Sequence, residues 1–216
     1  MDAALLERAE ALHPAVVSDV LDRLGHRHQV MAPRIRPLYP EAKAVGYART
    51  VRAEPVDAAP ELEADWYRGE LEAIESMRPG HVMVVSTMEA CFWGELLSIA
   101  SRNLGARGIV VDGYTRDVEG IVGIGFPTFC AGILPADGLG RVEVTEHGGE
   151  IMSGGVVVSD GDLVVGSFDG VVVVPLPVAE EVVTLAEEKL HGENVVRTKI
   201  EEGMRPSEAW RRYGIL

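Results

Sequence analysis

An arginine followed directly by an aspartate, Arg116-Asp117, has the residue types in this chain that are best suited to chemistry. The arginine side chain is a planar fork of N–H donors that matches a carboxylate, and the aspartate supplies hard oxygen atoms suited to Mg²⁺ or Mn²⁺. Together these side chains would hold a 2-oxo acid. The alternative is an ordinary surface turn, in which the two side chains pair and Asp117 caps a helix over residues 118–122.

A glycine-bounded helix start lies earlier in the chain. Apolar residues at helical spacing predict a helix from Glu95 to Leu104, and Gly94 lets the chain turn into it. The sequence predicts free amides from Glu95 to Ser98, because the first N–H groups of a helix have no partner within it. With the positive end of the helix dipole, these amides would bind a carboxylate or a phosphate. The residues of this predicted anion-binding turn are Gly94, Glu95, Leu96 and Leu97.

A short strand is predicted to connect the helix with the Arg-Asp pair. Residues 109–111 form a continuous apolar run that is typical of a buried strand, and Asp112-Gly113 ends it. Ligands in α/β proteins tend to lie at the carboxyl ends of strands. We therefore expect Arg116 and Asp117 to face the amides at the helix start.

The elements around this unit follow a mixed α/β pattern. Helices are predicted over residues 2–12 and 14–24, from Leu62 to an end at Pro79-Gly80, and over residues 177–190, 193–202 and 206–213. The third of these is expected to break at Gly69, and the fourth and fifth to join near Gly192. Strands are predicted over residues 44–51, 82–85, 142–145, 156–158, 163–165 and 171–174, and residues 57–60 are predicted as a loop. The separators of the last four strands are typical of hairpins: Gly148-Gly149, Gly154-Gly155, Asp160-Gly161 and Asp169-Gly170.

Composition limits the classes of function. The chain has 216 residues with 47% hydrophobic and 25% charged residues, an ordinary globular balance, and no linker-like segment that would divide it into two domains. Its net charge of -14 argues against binding to nucleic acid or to an anionic membrane. Its two cysteines, Cys91 and Cys130, suit a reducing compartment, so we expect a cytoplasmic protein. Cys91 lies near the proposed site, but we interpret it as a packing residue.

The motifs of the central unit occur in the same order in a known family. The chain resembles the 4-hydroxy-4-methyl-2-oxoglutarate aldolases and the related RraA-like proteins. The matching residues are Gly94-Glu95-Leu96-Leu97, Gly105-Ala106-Arg107-Gly108, Asp112-Gly113 and Arg116-Asp117. Residues 18–22, 79–85, 161–162 and 169–175 also match, so the resemblance extends over nearly the whole chain.

The resemblance implies a fold and an assembly. The fold is an RraA-like swivelling β/β/α-type single domain over residues 1–216, with stacked β layers and flanking helices. The expected assembly is a homotrimer or a dimer of trimers, with the active site at a subunit boundary and the C-terminal helices, about residues 177–213, packing at that boundary. An acidic residue from a C-terminal helix of the adjacent subunit completes the site in the family, and Glu193 is the candidate here.

The resemblance also implies roles for the site residues. The amides of Gly94, Glu95, Leu96 and Leu97 and the side chain of Arg116 bind the substrate, and Asp117 holds Mg²⁺ or Mn²⁺ largely through water. One departure concerns position 120, where the aldolases usually carry an acidic residue. This chain has Gly120 there, with Glu119 one residue early, a helical rotation of about 100°. The departure predicts a weakened metal site.

The expected reaction cleaves a carbon–carbon bond of a pyruvoyl 2-oxo acid, either 4-hydroxy-4-methyl-2-oxoglutarate by aldol cleavage or oxaloacetate by decarboxylation. The pyruvate enolate that forms needs a lysine Schiff base or a divalent metal to stabilise its charge. None of the three lysines, Lys43, Lys189 and Lys199, lies in the central unit, which favours the metal. The predicted general base is a metal-organised water, oriented by Asp112 or by an acidic group across the subunit interface.

Two alternatives remain at the level of sequence. The chain is also compatible with a non-catalytic RraA-type regulator that binds an RNA-processing partner, since an acidic surface suits an arginine-rich protein. A lyase for a different substrate on the same scaffold is the other alternative.

Overall fold

The structure is a computed structural model that describes residues 2–56 and 66–215. The predicted loop over residues 57–60 and the predicted helix start at Leu62 lie outside these residues. Seven α-helices are described, and a 3-10 helix at Leu176–Val178 precedes the sixth of them. The helices are α1 (Ala3–Ala9), α2 (Pro14–Arg23), α3 (Arg68–Glu75), α4 (Glu95–Asn103), α5 (Val118–Ile124), α6 (Ala179–Glu201) and α7 (Pro206–Tyr213).

The β structure consists of eleven strands within the described residues, most of them short and rich in valine, which favours a half-buried pleated surface. The strands of the first half are β1 (Arg36–Pro37), β2 (Ala44–Pro55), β3 (His81–Val85), β4 (Cys91–Trp93), β5 (Gly108–Thr115) and β6 (Thr128–Ile133). Those of the second half are β7 (Val142–His147), β8 (Glu150–Ser153), β9 (Val156–Ser159), β10 (Leu163–Ser167) and β11 (Gly170–Val174).

Nine strands form one sheet in the order β1-β6-β5-β3-β2-β10-β11, with β4 paired to β5 and β7 paired to β2. The strands from β2 through β3 and β5 to β6 are parallel, which requires crossovers that the helices α3, α4 and α5 supply. Strands β8 and β9 form a separate antiparallel hairpin.

The core has three parts, which follow from the alternation of side chains along each strand. Along β3, Val82 and Val84 point to the side of the β8–β9 hairpin, whereas Met83 and Val85 point to the side of α3, α4 and α5. A third part lies between β2, β10 and β11 and the helices α1, α2 and α6. The resulting stacked β layers with flanking helices confirm the predicted fold class.

The structure corrects three details of the predicted elements. Residues 179–201 form one continuous helix, and Gly192 lies within it, where an added Cβ would be 2.6 Å from Cδ1 of Ile215. Gly69 does not break α3 but lies in its first turn. Of the predicted hairpins among the last strands, those between β8 and β9 and between β10 and β11 occur. Strand β7 pairs with β2 and not with β8, so the segment between β7 and β8 does not close a hairpin.

The described helices include none that is long and apolar enough to span a bilayer. The longest, α6, carries charged residues along its length.

Candidate functional site

Two parallel strands end side by side at the site. Strand β4 pairs with the end of β5, so that Cys91 is opposite Tyr114 and Trp93 is opposite Thr115. The backbone N–H of Arg116 donates to the carbonyl oxygen of Trp93 at 2.9 Å, and the Thr115 hydroxyl donates to the same oxygen at 3.0 Å. Since helices α4 and α5 begin directly after these strands, both helix starts lie at one point of the sheet edge.

Helix α4 presents fewer free amides than its sequence predicts. Gly94 is its extended N-cap, and the Ser98 amide donates to the Gly94 carbonyl oxygen at 3.2 Å, so the Ser98 amide is not available. The Glu95 amide lies 3.4 Å from Oδ2 of Asp117. The amides of Leu96 and Leu97 therefore remain as the donors that a helix start leaves unsatisfied.

Asp117 adopts a left-handed backbone conformation, with φ 57° and ψ 38°. It is the one non-glycine residue with positive φ among residues 2–56 and 66–215. Such a conformation costs a non-glycine residue about 1–2 kcal/mol, and strain of this kind is found at functional sites. The neighbouring Gly94 leaves room for the Asp117 carboxyl group, because a Cβ at position 94 would lie 2.7 Å from Oδ2 of Asp117.

Arg116 lies between two carboxylates. Its Nε is 3.8 Å from Oδ2 of Asp117, and one terminal nitrogen is 3.4 Å from Oδ2 of Asp137. The Tyr67 hydroxyl donates to Oδ1 of Asp137 at 3.3 Å. Burial raises the pKa of Asp137, but the Leu139 amide, Arg116 and Tyr67 outweigh it, so that the pKa is lowered and the carboxylate stays ionised.

These groups open into a cavity of about 330 Å³, which is of the size that holds a small ligand. One side consists of the helix start and the Arg-Asp pair, and the opposite side comes from α3 and the segment around Asp137. The lining residues are Tyr67, Glu70, Leu71, Cys91, Phe92, Trp93, Gly94, Leu96, Leu97, Arg116, Asp117, Asp137, Gly138 and Val142.

Glu70 is the cavity carboxyl group with the most perturbed acidity. Burial, and after it the negative charge of Asp137, raise the pKa of Glu70 from 4.5 to about 7, against the opposing effect of the positive charge of Arg116. Near neutral pH this side chain is therefore present in both its protonated and its ionised form. Cys91 differs, since burial raises its thiol pKa and keeps it protonated, in agreement with a packing role.

Asp112 is not among the residues that line the cavity. Its carboxylate is 1% exposed and accepts two hydrogen bonds from Arg34, at 2.9 and 2.8 Å, with others from the Thr87 hydroxyl and the Gly154 amide. Burial raises the pKa of Asp112, but these hydrogen bonds outweigh it and the pKa is lowered. Within one subunit these contacts hold the Asp112 carboxylate in place, and its predicted role in orienting a water stays a prediction.

Glu193 lies on α6, far along the chain from the cavity residues. Its carboxylate pairs with Lys189 at 2.8 Å, and Lys189 also pairs with Asp19 of α2 at 3.2 Å. Within one subunit Glu193 therefore belongs to the α2–α6 contact. Its predicted role in the site of an adjacent subunit stays a prediction.

The residues present fit a divalent cation that keeps part of its water shell. No group of three or more His, Cys, Asp and Glu side chains suited to a metal occurs within the two described stretches of the chain. Two acidic side chains nevertheless lie at the helix starts, Asp117 and Glu95. A Cβ at Gly120 would be 2.3 Å from Cδ of Glu95, so the Glu95 carboxyl group occupies the space above Gly120. Mg²⁺ is commonly held by one or two carboxylates plus water, which is the donor set available here.

Three lining residues of the cavity were not predicted from the sequence: Tyr67, Glu70 and Asp137. A signal for Glu70 was available, because it lies three and four residues before Ala73 and Ile74, which are buried on α3. An acidic residue on the apolar face of an amphipathic helix is a candidate for a cavity. Asp137 carried no comparable signal, since it lies in a loop.

The fold and the site together describe an α/β protein with a cavity at the paired ends of parallel strands, lined by an arginine, an aspartate and the start of a helix. The family described as Aldolase/RraA matches residues 14–173. This chain belongs to that RraA-like family.

Individual proteins agree with this assignment. The chain is 33% identical over 180 residues to a Halalkalibacterium halodurans protein named "Putative 4-hydroxy-4-methyl-2-oxoglutarate aldolase". The aligned region covers 80% of this chain and 77% of that protein. An uncharacterized protein from Pseudomonas syringae has a similar structure, with a TM-score of 0.87, 28% identity and coverage of 99% and 95% of the two chains. Streptomyces coelicolor RraAS2, described as an unusual member of the RNase ES inhibitor RraA family, has a TM-score of 0.82, 28% identity and coverage of 92% and 98%.

Proposed function

We propose that this protein is a divalent-metal-dependent carbon–carbon lyase that releases pyruvate from a pyruvoyl 2-oxo acid. The reaction is aldol cleavage of 4-hydroxy-4-methyl-2-oxoglutarate, decarboxylation of oxaloacetate, or both. The observation that carries the proposal is the convergence of Arg116, Asp117 and the amides of α4 on one cavity. The relative named as an aldolase supports the same class of reaction.

Each group has a defined task in this proposal. The guanidinium fork of Arg116 and the Leu96 and Leu97 amides bind the substrate carboxylate and orient the 2-oxo group. Asp117 and Glu95 would hold Mg²⁺ or Mn²⁺, which supplies the positive charge that offsets the enolate formed when the carbon–carbon bond breaks. The apolar side chains of Phe92, Trp93 and Leu97 exclude water, which strengthens these electrostatic contacts.

The test is pyruvate release from both substrates with Mg²⁺, with Mn²⁺ and with EDTA, for the intact protein and for Asp117→Asn. Asparagine tolerates the left-handed conformation, so this substitution removes the charge and leaves the backbone in place. We expect pyruvate release to require metal and to fall at least about 100-fold in Asp117→Asn. Mn²⁺ affinity, measured by calorimetry, should fall in parallel.

Glu119→Gln is the matched control, because Glu119 is an exposed acid two residues away that does not line the cavity. It should leave both pyruvate release and Mn²⁺ affinity unchanged. Metal-independent turnover, or equal loss in both variants, would contradict the proposal.

A regulator that binds an RNA-processing protein is the second candidate. It is favoured by the net charge of -14 and by the similarity to RraAS2, whose family is described as RNase ES inhibitors. The expected partner is basic, because opposite charge steers association. Capture of a basic RNA-processing protein on the immobilised chain, together with no turnover of either substrate, would favour this candidate over the lyase.

A further inference from the structure

Glu70 is brought to the cavity by the close packing of α3 on β7. An added Cβ at Gly69 would be 2.5 Å from the carbonyl oxygen of Val144, so this approach requires glycine. Ala73 and Ile74, on the same face of α3, are buried beneath the helix. Glu70, one turn earlier, lines the cavity together with Arg116 and Asp117.

The other acidic groups nearby already have partners or a different role. Asp137 is paired with Arg116 and accepts from Tyr67, and Asp112 is held by Arg34 outside the cavity. Asp117 lies against the start of α4, at the position proposed for the cation. Within the described residues, no hydrogen bond or ion pair joins the Glu70 carboxyl group to another side chain. Glu70 is thus the cavity carboxyl group that is free to exchange a proton with a ligand.

The charged and titratable groups around Glu70 favour proton exchange near neutral pH. Asp137 and Arg116 act on it with opposite sign, and Tyr67 is bound to Asp137. Burial and Asp137 bring the pKa of Glu70 to about 7, where a carboxyl group serves equally well as base and as acid.

We propose that Glu70 is the proton-transfer residue of the lyase, an inference that rests on the proposed function. In aldol cleavage, the Glu70 carboxylate removes the proton of the C4 hydroxyl group. The C3–C4 bond breaks, its electron pair forms the enolate of pyruvate, and the C4 oxygen becomes a carbonyl. Protonated Glu70 then returns its proton to C3 of the enolate, which completes pyruvate and restores the carboxylate.

This role affects two reactions differently. The exchange of pyruvate methyl protons with solvent is the reverse of the last step, and it requires a base that removes a proton from C3. Decarboxylation of oxaloacetate needs no base, because C4 is a carboxylate without a hydroxyl proton and leaves as carbon dioxide when the C3–C4 bond breaks. The enolate can then take its proton from water. A proton-transfer residue is therefore needed much more for exchange than for decarboxylation.

The experiment compares Glu70→Gln with the intact protein in both reactions, with Mg²⁺ present and the protein-free rate subtracted. Proton exchange is followed by NMR in deuterium oxide, and decarboxylation by pyruvate release. We expect the ratio of the exchange rate to the decarboxylation rate to fall at least about 30-fold, because general acid–base catalysis contributes about 100-fold or more. Glu70→Asp should restore part of the exchange.

The matched control is Glu72→Gln, which removes an exposed carboxylate from the same helix and should leave the ratio unchanged. Thermal unfolding of each variant checks that the fold is retained. Equal effects of Glu70→Gln on both reactions, or no effect on either, would overturn the role of Glu70 while leaving the lyase intact. An intact protein that catalyses neither reaction would instead remove the proposed function, and the role of Glu70 with it.

Discussion

Replacing Glu70 by glutamine should make the folded protein more stable at alkaline pH and change its stability little at acidic pH. Burial raises the pKa of Glu70 from 4.5 to about 7 in the folded chain. Between these values the unfolded chain has released the proton while the folded chain still holds it. Folding is therefore increasingly disfavoured as the pH rises through this window, and glutamine, which does not titrate, avoids the effect.

The magnitude follows from the gap between 4.5 and about 7. At about 1.4 kcal/mol per pH unit, the gap corresponds to about 3 kcal/mol at pH 8, and to less than about 1 kcal/mol at pH 5. These are upper values, because Glu70 retains some contact with solvent. Urea unfolding, followed by the fluorescence of the buried Trp93, gives the free energy of unfolding at each pH.

The quantity to compare is the difference between Glu70→Gln and the intact protein across the pH range, at fixed protein concentration. Effects of other titrating groups cancel in this difference. Glu72→Gln, at an exposed position of the same helix, is the control variant. A flat profile for Glu70→Gln would refute the reasoning, because it would show that Glu70 ionises in the folded protein as it does in water.

Two further substitutions test the scaffold of the site. Gly94→Ala places a Cβ 2.7 Å from Oδ2 of Asp117. We expect at least about tenfold weaker Mn²⁺ binding in calorimetry, and a loss of stability under about 1 kcal/mol because the tip of the Asp117 side chain can move. Unchanged Mn²⁺ affinity would contradict this prediction. Arg34→Met leaves the buried Asp112 carboxylate without its positively charged partner. We expect the free energy of unfolding in urea to fall by about 2 kcal/mol, which is less than for a fully buried ion pair because Arg34 is half exposed. A loss within experimental error would show that the hydrogen bonds from Thr87 and the Gly154 amide are enough to stabilise the Asp112 carboxylate.

The sequence predicted the elements whose signals are local. The apolar run over residues 109–111, the helix after Gly94 and the helix over residues 206–213 all occur, because spacing and helix-boundary residues act over a few positions. The juxtaposition of Asp117 with the α4 start also followed from chain order, since a helix between two parallel strands begins at the sheet edge where the second strand ends.

The features that were missed depend on contacts between distant segments. The Asp112 carboxylate accepts hydrogen bonds from Arg34, 78 positions earlier in the chain, and no local pattern indicates that pairing. Glu70 reaches the cavity because Gly69 packs closely on Val144, a contact that sequence spacing does not indicate. The Glu95 side chain is a further case, since its carboxyl group fills the space above Gly120, the position where the aldolases usually carry an acidic residue.

The left-handed backbone at Asp117 has a consequence for engineering. Glycine adopts this conformation at no steric cost, so a stability-guided redesign would score Asp117→Gly as an improvement of about 1 kcal/mol. The same change would delete the carboxylate on which the proposed cation site depends, while the fold and the melting temperature would give no warning. Selection for robustness alone and selection for activity therefore act in opposite directions at this single position.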